Sequence, residues 1–365
     1  MNFRSMGLER WLLRPCEVNV AGGGVVKLKL SDLTAALDLS QEVSYGVTNG
    51  SQTLRGEIAG WFGDVDPDEV LITTGTSEAN LLANLHLLTP GDEYVGIFPE
   101  YTQTSPFAEA LGCTVRKVFL DESKGWELNI DHVKEAVTAK TKIIFFDNPN
   151  NPTGSVLSSD HVRAICEIAE DAGAYVICDN ALRGSELDGK TATTPFPHYD
   201  RGIVTGSMSK LGMTGLRIGW LIGDREFVNA CWQIKDYTTL SHSGIGEPLA
   251  IGAMRNENLT KYVRRNTELS RSNRDSLSDW IKSNSDSYSW IKPNAGFTGF
   301  LKYSMPLSSV EFCSRFLQQQ KVLISPGEYF GVDEHFRFNY GCTPDTLKEA
   351  LSRFKRFTSK LLGDR

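Results

Sequence analysis

Lys210 lies in the string SMSKLGMTGLRIGW, between a β-rich run and a glycine-containing stretch that includes Arg217. A lysine at the end of a strand can condense with an aldehyde, and its free amine can move protons at the α-carbon of a substrate. The hydroxyl of Ser209 and the guanidinium of Arg217 are suited to a phosphate dianion. A lone lysine beside a serine is usually a solvated surface residue, but the full string favours a covalent site for an aldehyde that carries a phosphate.

A second anion site is indicated by Gly75-Thr76-Ser77, which leaves a predicted strand and opens a predicted helix. Backbone N–H groups, two hydroxyls and the positive end of the helix converge there. The simpler alternative is plain capping of the helix by Thr76 or Ser77.

Asp179 ends the run AYVIC, 31 residues before Lys210. A buried carboxylate can hold a proton on a nitrogen heterocycle, which makes the ring a better sink for the electrons of a carbanion. A single aspartate after a strand more often caps a helix, so this role rests on the place of Asp179 among the other motifs.

The elements that must position these residues alternate between strand and helix patterns from about residue 66 to residue 223. We predict strands at 71–74, 94–98, 142–146, 174–178, 202–205 and 218–222, with helices at 78–88, 133–139 and 159–172. This alternation predicts a largely parallel sheet with helices on both faces. The polar residues of interest follow the strand ends, where an open α/β sheet forms its ligand crevice.

After about residue 258 the pattern changes to long polar helices and separated strands at 297–302, 322–324 and 336–340, and it ends in an amphipathic helix at 347–362. This change predicts a smaller α+β domain that the N-terminal segment completes. We therefore expect a large domain of residues 40–255 and a small domain of residues 1–39 plus 256–365.

The composition favours a cytoplasmic protein with a small-molecule partner. The net charge of −7 argues against a nucleic-acid or membrane-surface role, because both need a concentrated positive field. The seven cysteines are scattered without a C-x-x-C pair, so neither disulfides nor a zinc site is indicated, and no metal is expected. No apolar run has the length of a signal peptide core or a membrane span.

The lysine string resembles the signature of the class I/II aminotransferases, which are fold type I pyridoxal 5′-phosphate (PLP) enzymes. The frame NPNNPTG at 148–154 and the loop SPGEYFG at 325–331 are similar to that family and occur in its chain order. One departure is that Arg217 follows Lys210 by seven residues, where the family usually has eight. The resemblance runs from about Val43 to the C-terminus and implies an α/β fold with a seven-stranded-type sheet.

This resemblance assigns roles to single positions. Lys210 would form a Schiff base with PLP, Asp179 would pair with the pyridine nitrogen, and Arg337 would grip the substrate carboxylate. Asn151 would bind the ring oxygen of the cofactor, next to the substrate. Tyr45 resembles a tyrosine that reaches the cofactor phosphate of a neighbouring subunit, which implies a homodimer with shared sites. The implied cofactor-binding set is Tyr45, Gly75, Thr76, Ser77, Tyr101, Asn151, Asp179, Ser207, Ser209, Lys210 and Arg217.

One position favours a reaction other than transamination: Leu182 stands where many members have tyrosine in D-x-x-Y. The strings LERWL at 8–12 and KDYTTLSHS at 235–243 resemble capreomycidine-synthase-like cyclases, which dehydrate and cyclise hydroxylated arginine. The resemblance implies a cyclic guanidine amino acid of capreomycidine or enduracididine type as product. Glu9 is then a candidate to pair with the guanidinium or move a proton there, and Gly23 a candidate to bring backbone close to the substrate. Their simpler alternatives are a solvated helix carboxylate and a flexible turn.

Two other hypotheses stay open. The first is an ordinary aminotransferase that transfers an amino group to a 2-oxo acid. The second is a PLP-binding sensory module, which the retention of both Lys210 and Asp179 disfavours. His242 is a further candidate for a place near the phosphate or the substrate.

Overall fold

The strands belong to three sheets, in a computed structural model that describes residues 3–33, 38–40 and 42–363. In chain order they are β1 (Val18–Asn19), β2 (Val70–Thr73), β3 (Glu93–Phe98), β4 (Thr114–Phe119), β5 (Thr141–Asp147), β6 (Tyr175–Asp179), β7 (Gly202–Ser207), β8 (Gly219–Ile222), β9 (Tyr288–Trp290), β10 (Thr298–Tyr303), β11 (Val322–Leu323), β12 (Ser325–Pro326) and β13 (His335–Asn339). The helices are α1 (Gly7–Trp11), α2 (Gln52–Phe62), α3 (Thr76–Leu87), α4 (Thr104–Leu111), α5 (Ile130–Ala136), α6 (Ser159–Ala172), α7 (Arg225–Lys235), α8 (Gly246–Met254), α9 (Asn256–Lys282), α10 (Ser309–Gln320) and α11 (Pro344–Gly363).

The largest sheet has seven strands in the order β2-β8-β7-β6-β5-β3-β4. Only β8 runs antiparallel to its neighbours, and the other pairs are parallel. Every residue of β2, β3, β7 and β8 is buried. Such strands have apolar runs rather than alternation because helices cover both faces of a parallel sheet. The predicted α/β fold with a seven-stranded sheet is confirmed.

Strand β4 was not predicted, and its position explains why. It lies at the edge of the sheet, and five of its six residues are exposed or only half-buried. Its sequence TVRKVF carries two adjacent cations, which suit an edge that faces solvent. The apolar run that marks the central strands is therefore missing here.

The C-terminal part of the chain builds a four-stranded antiparallel sheet in the order β12-β13-β10-β9, and β1 pairs in parallel with β11. Its core gathers residues from 11–21 and from 277–357, including a cluster of phenylalanines: Phe312, Phe316, Phe336, Phe338, Phe354 and Phe357.

Helix α9 contributes to two cores. Leu259 and Tyr262 near its start pack with residues of α2 and the large sheet, while Leu277 and Ile281 near its end pack in the C-terminal core. The proposed division at residue 255/256 therefore precedes a helix that joins both parts. Residues 34–37 and 41, around the proposed boundary at 39/40, lie outside the described residues.

The helices bury one face each. In α6 the buried residues are Val162, Ile165 and Ala169, at the spacing of a single helix face. Among the helices formed by residues 3–33, 38–40 and 42–363, none is both long enough and apolar enough to cross a membrane.

Candidate active site

A cavity lies at the carboxyl ends of β5, β6 and β7, where Asp147, Asp179 and Ser207 are the last strand residues. Most of the residues predicted for the site line this one cavity: Glu9, Gly23, Thr76, Ser77, Tyr101, Asn151, Asp179, Ser207, Ser209, Lys210, Arg217 and Arg337. The described residues of the cavity wall thus come from nine separate places in the chain.

Lys210 lies in a short 3-10 helix, Met208–Leu211, that directly follows β7. Burial, together with the positive charge of Arg337, lowers the pKa of Lys210 to about 8, although Asp179 and Glu9 act in the opposite direction. About a tenth of the amine is therefore uncharged at pH 7, far more than for a solvated lysine, and the uncharged amine is the form that attacks a carbonyl. Gly23 lies over this amine, since a β-carbon at that position would be 3.4 Å from Nζ.

Asp179 is oriented by two hydrogen bonds. Asn80 Nδ2 donates to Asp179 Oδ2 at 3.0 Å, and the backbone N–H of Ala181 donates to Oδ1 at 3.0 Å. Asn80 is itself fixed because Thr205 Oγ1 donates to its Oδ1 at 2.7 Å. These contacts hold the carboxylate at the cavity wall, with the cation of Lys210 nearby.

The start of α3 and Arg217 form a cradle suited to a phosphate. The hydroxyl of Thr76 is buried and has no hydrogen-bond partner among the described residues. The first N–H groups of a helix also lack intrahelical acceptors. Arg217 Nη2 donates to Thr74 O at 2.9 Å and lies so close to Gly75 that a β-carbon there would be 2.5 Å from it. Gly75, with φ of +82°, is thus required both by its backbone and by the guanidinium.

Arg337 is buried in β13, with 2% of its surface exposed. Its Nε and Nη2 donate to Ala21 O at 3.2 and 2.6 Å, and its Nη1 donates to Asn151 Oδ1 at 3.0 Å. Burial lowers the pKa of Arg337 to about 10, so the guanidinium remains charged at neutral pH. A β-carbon at Gly23 would lie 3.2 Å from Nη1, so a larger residue there would crowd the guanidinium. Glycine at this position leaves the cation open to the cavity.

Glu9 reaches the cavity from α1. Tyr101 Oη donates to Glu9 Oε1 at 2.7 Å, across 92 residues of sequence. The helix is anchored by Trp11, whose Nε1 donates to Ile324 O at 2.7 Å. Leu8 and Leu12 of the same segment also line the wall, so one short stretch supplies both an acid and apolar surface.

Two of the candidate residues lie away from the cavity wall. Tyr45 is 72% exposed, and its role toward a partner subunit's site stays a prediction. His242 is buried against Glu247, with Nε2 and Oε2 2.9 Å apart, and Glu247 also accepts from the backbone N–H of Ser51. His242 therefore contacts Glu247, which binds the backbone at Ser51, and does not lie at the phosphate cradle.

Three residues of the site were missed from the sequence: Asn80, Gln103 and Asp147. Asp147 carried a usable signal, because it directly follows a predicted strand next to the strand that ends at Asp179. Asn80 and Gln103 carried none, since a polar residue inside a helix or a loop is ordinary. Gln103 Nε2 donates to Ser77 O at 2.9 Å and so joins the loop after β3 to the phosphate cradle.

Glu100, next to Tyr101, predicts how stability varies with pH. It is fully buried, accepts a short hydrogen bond from Ser105 Oγ, and its Oε2 has no partner among the described residues. Burial raises the pKa of Glu100 from 4.5 to about 8, so its contribution to folding is full below pH 4.5 and is lost as pH rises through 8. We expect Glu100→Gln to gain about 2–4 kcal/mol in unfolding free energy relative to the unaltered protein between pH 5.5 and 9.

This difference is measured by urea unfolding of the holoenzyme at both pH values. Glu135→Gln, at an exposed position of α5, is the control and should follow the unaltered protein. Equal pH profiles for Glu100→Gln and the unaltered protein would contradict the expectation.

The fit of these residues to PLP can be judged from the cavity itself. A buried amine of lowered pKa, an oriented carboxylate, an unpartnered hydroxyl at a helix start and an adjacent guanidinium are the groups that an aldehyde, a pyridine nitrogen and a phosphate require. The described residues fit the cofactor.

Comparisons with known proteins agree with this fit. The profile of the family described as aminotransferase class I and II matches residues 24–354. Capreomycidine synthase of Streptomyces vinaceus is 27% identical over 357 residues, which cover 94% of this chain and 91% of that protein. A probable aspartate aminotransferase of Methanocaldococcus jannaschii is 29% identical over 325 residues, which cover 85% of this chain and 84% of that protein. The solved structure of the PLP-dependent cyclase OrfR has a TM-score of 0.88 and 25% identity, covering 98% of this chain and 97% of that one.

The family profile spans most of the chain and includes all of the described cavity-lining residues except Leu8, Glu9, Leu12 and Gly23. The chain therefore belongs to the class I and II aminotransferase family and is a PLP-dependent enzyme with the fold of that family.

Proposed function

We propose that this enzyme dehydrates and cyclises a hydroxylated L-arginine to a cyclic guanidine amino acid. The observation that carries this proposal is the charge pattern of the cavity. The cations among its described lining residues are Lys210, Arg217 and Arg337. Lys210 is used as the reacting amine, Arg217 at the phosphate and Arg337 at the α-carboxylate. None of these three cations remains for an acidic substrate side chain. The carboxylate of Glu9 instead favours a cationic one.

Glu9 is suited to a guanidinium. Its Oε1 accepts from Tyr101 Oη, which orients the carboxyl and leaves Oε2 for the substrate. Carboxylate and guanidinium pair through charge-assisted hydrogen bonds. Leu8, Leu12 and Leu182 line the same cavity and supply apolar surface for the methylene groups of such a side chain, while the Glu9 carboxylate itself is exposed in the structure.

Bound PLP supplies an electron sink for negative charge at the substrate α-carbon. Arg337 fixes the α-carboxylate, and Asn151, held by Arg337, lies beside it. Lys210 removes the α-proton, for which a pKa of about 8 is well matched to neutral pH. Asp179 keeps a negative charge at the cavity wall throughout.

The substrate then loses its hydroxyl as water, with cleavage of the C–O bond at the β- or γ-carbon. A γ-hydroxyl requires that a second proton leave the β-carbon. A guanidine nitrogen forms a C–N bond to the unsaturated carbon and gives up a proton, for which Glu9 is the acceptor. Lys210 gives the α-proton to the departing hydroxide, which leaves as water. The guanidine proton taken up by Glu9 replaces, by way of solvent and Lys210, the one lost from the substrate carbon, any proton taken from the β-carbon is returned there, and the net change is the loss of one water.

Leu182 supports this reaction over transamination. Its side chain lines the cavity and packs with Val25 and Phe297, so it offers no hydrogen bond. The similarity to capreomycidine synthase and to the cyclase OrfR points in the same direction. The similarity to a probable aspartate aminotransferase keeps amino transfer to a 2-oxo acid as the second candidate.

Product analysis separates the two candidates. The holoenzyme is incubated with 3-hydroxyarginine, 4-hydroxyarginine, arginine, glutamate and alanine, and the products are analysed by mass spectrometry. We expect a product smaller by one water from a hydroxyarginine, with the cofactor unchanged. If hydroxyarginines give no dehydrated product while glutamate or alanine converts the cofactor to its amine form, the enzyme is an aminotransferase.

Glu9→Gln tests the acid that carries the proposal. We expect KM for the hydroxyarginine substrate to rise about 10- to 100-fold, because a charged hydrogen bond contributes about 1.5–3 kcal/mol. Arg10→Gln is the matched control, since Arg10 is on the same helix and outside the cavity wall. An unchanged KM in Glu9→Gln would contradict the assigned role.

We also infer that two copies of the chain pair. Apolar side chains are exposed at Val43, Tyr45, Val47, Tyr237 and Ile245, by 85, 72, 54, 91 and 51%. Exposed apolar surface of this kind is typical of an interface between proteins. Sedimentation of the holoenzyme measures the state, and a monomer would contradict the pairing.

A further inference from the structure

Two carboxyl groups stand side by side at the cavity. Asp147 and Asp179 are register partners at the ends of the parallel strands β5 and β6, and both line the cavity wall. Only 4% of Asp147 and 7% of Asp179 is exposed. Register partners on neighbouring strands project to the same face of a sheet, with the strands about 5 Å apart.

Two carboxylates this close in a buried site do not both ionise readily, because the negative charges repel each other and water does not screen them. Such a pair tends to retain one proton. A third buried acid, Glu100, follows the next strand, β3, but its pKa of about 8 leaves it mostly neutral at pH 7, so the repulsion at that pH is between the two strand-end carboxyls. Charge balance therefore favours a proton on at least one of the strand-end carboxyls.

The hydrogen bonds decide which carboxyl holds it. Asp179 accepts on both oxygens, from Asn80 and from Ala181, and has the cation of Lys210 nearby. Asp147 accepts on Oδ2 from the backbone N–H of Tyr101 at 3.0 Å, but its Oδ1 is buried without a partner among the described residues. An unpartnered oxygen is the natural place for a proton, since it has no donor to stabilise a negative charge.

We infer that Asp147 is a positioning residue that holds one proton beside Asp179, so that Asp179 alone carries negative charge at this end of the cofactor pocket. The pair of carboxyls therefore presents a single negative charge, on Asp179, to the cofactor. The inference requires only that PLP binds here and is independent of which substrate the enzyme uses.

The pKa values agree with this geometry. Burial, followed by the negative charge of Asp179, raises the pKa of Asp147 well above its ordinary range, although the backbone N–H groups of Tyr101 and Asn151 act in the opposite direction. Burial also raises the pKa of Asp179, but the hydrogen bonds from Asn80 and Ala181 and the charge of Lys210 lower it in opposition. The titratable groups that interact with Asp147 are Asp179, Glu100, Tyr94 and Cys178.

Infrared spectroscopy of the holoenzyme tests the inference directly. The protein is labelled with aspartate carrying ¹³C in its side-chain carboxyl, so that Glu100 does not contribute. At pH 7 we expect one carbonyl stretch of a protonated acid that shifts with the label and in D₂O. A labelled protein with carboxylate bands only would overturn the inference, and this measurement needs no variant.

The variant Asp147→Asn adds a second readout. Asparagine copies the shape and neutrality of a protonated aspartate, so the acid band should disappear while the bound cofactor is undisturbed. The pH midpoint at which the visible absorbance of the cofactor titrates should move by less than about 0.3 unit. If Asp147 were ionised, the substitution would remove a negative charge and lower that midpoint by roughly one to two units, because a nearby anion stabilises the protonated form of the bond between Lys210 and the cofactor.

Asp179→Asn is the matched comparison at the neighbouring strand end. It removes the charge that the inference places on Asp179, so its midpoint should fall by roughly one unit or more. Equal downward shifts in Asp147→Asn and Asp179→Asn would mean that the two carboxyls share the charge, and would overturn the assignment of the proton to Asp147.

Discussion

The Lys210→Ala protein is expected to lose the visible absorbance band of covalently bound cofactor and on the order of 10⁴-fold or more in kcat. The reason is that one amine has two duties, attachment of the cofactor and proton transfer at the α-carbon. Its burial next to Arg337, which brings its pKa to about 8, supports both. The absorbance spectrum and turnover with the preferred substrate are the two measurements.

Lys142→Ala is the control for this experiment. Lys142 is exposed in β5, within the same sheet, and does not line the cavity. Its variant should keep both the band and the turnover. A band that persists in Lys210→Ala after removal of free cofactor would refute the covalent attachment.

Arg337→Lys is expected to raise KM for an amino acid substrate about 100-fold, which corresponds to about 2–3 kcal/mol, with a smaller change in kcat. Lysine offers a point charge where the guanidinium donates to Ala21 O and to Asn151 Oδ1 and presents a planar face to a carboxylate. The substitution also removes the hydrogen bond from Arg337 to Asn151 Oδ1, so we expect the Asn151 side chain to be less well oriented. Steady-state kinetics with separate kcat and KM values measure the effect.

The chemistry of the substrate provides the control for Arg337. An amine that lacks the α-carboxylate should react equally poorly with the unaltered enzyme and with Arg337→Lys. Arg116→Lys, at an ion pair with Glu93 on the edge of the large sheet, should leave KM unchanged. If the loss in Arg337→Lys were as large for the amine as for the amino acid, Arg337 would not bind the carboxylate.

The sequence by itself determined the family, the cofactor and six of the seven strands of the large sheet. The string around Lys210 and the frame at 148–154 are local patterns in which several residues of fixed type must follow one another, and such patterns survive without any knowledge of packing. The central strands were predictable for a similar reason, because full burial on both faces imposes continuous apolar runs. Helix α6 was predicted with the bounds that the structure has, since its apolar residues recur at one-face spacing.

Only the tertiary structure decided the contacts between distant segments. Tyr101 meets Glu9 across 92 residues and Arg337 meets Ala21 across 316, and no local pattern encodes such distances. Asp147 became significant only when the register of β5 and β6 placed it beside Asp179. The chemistry of single groups could thus be predicted from residue types in order, whereas their charges and orientations depend on burial and on partners that packing alone brings together.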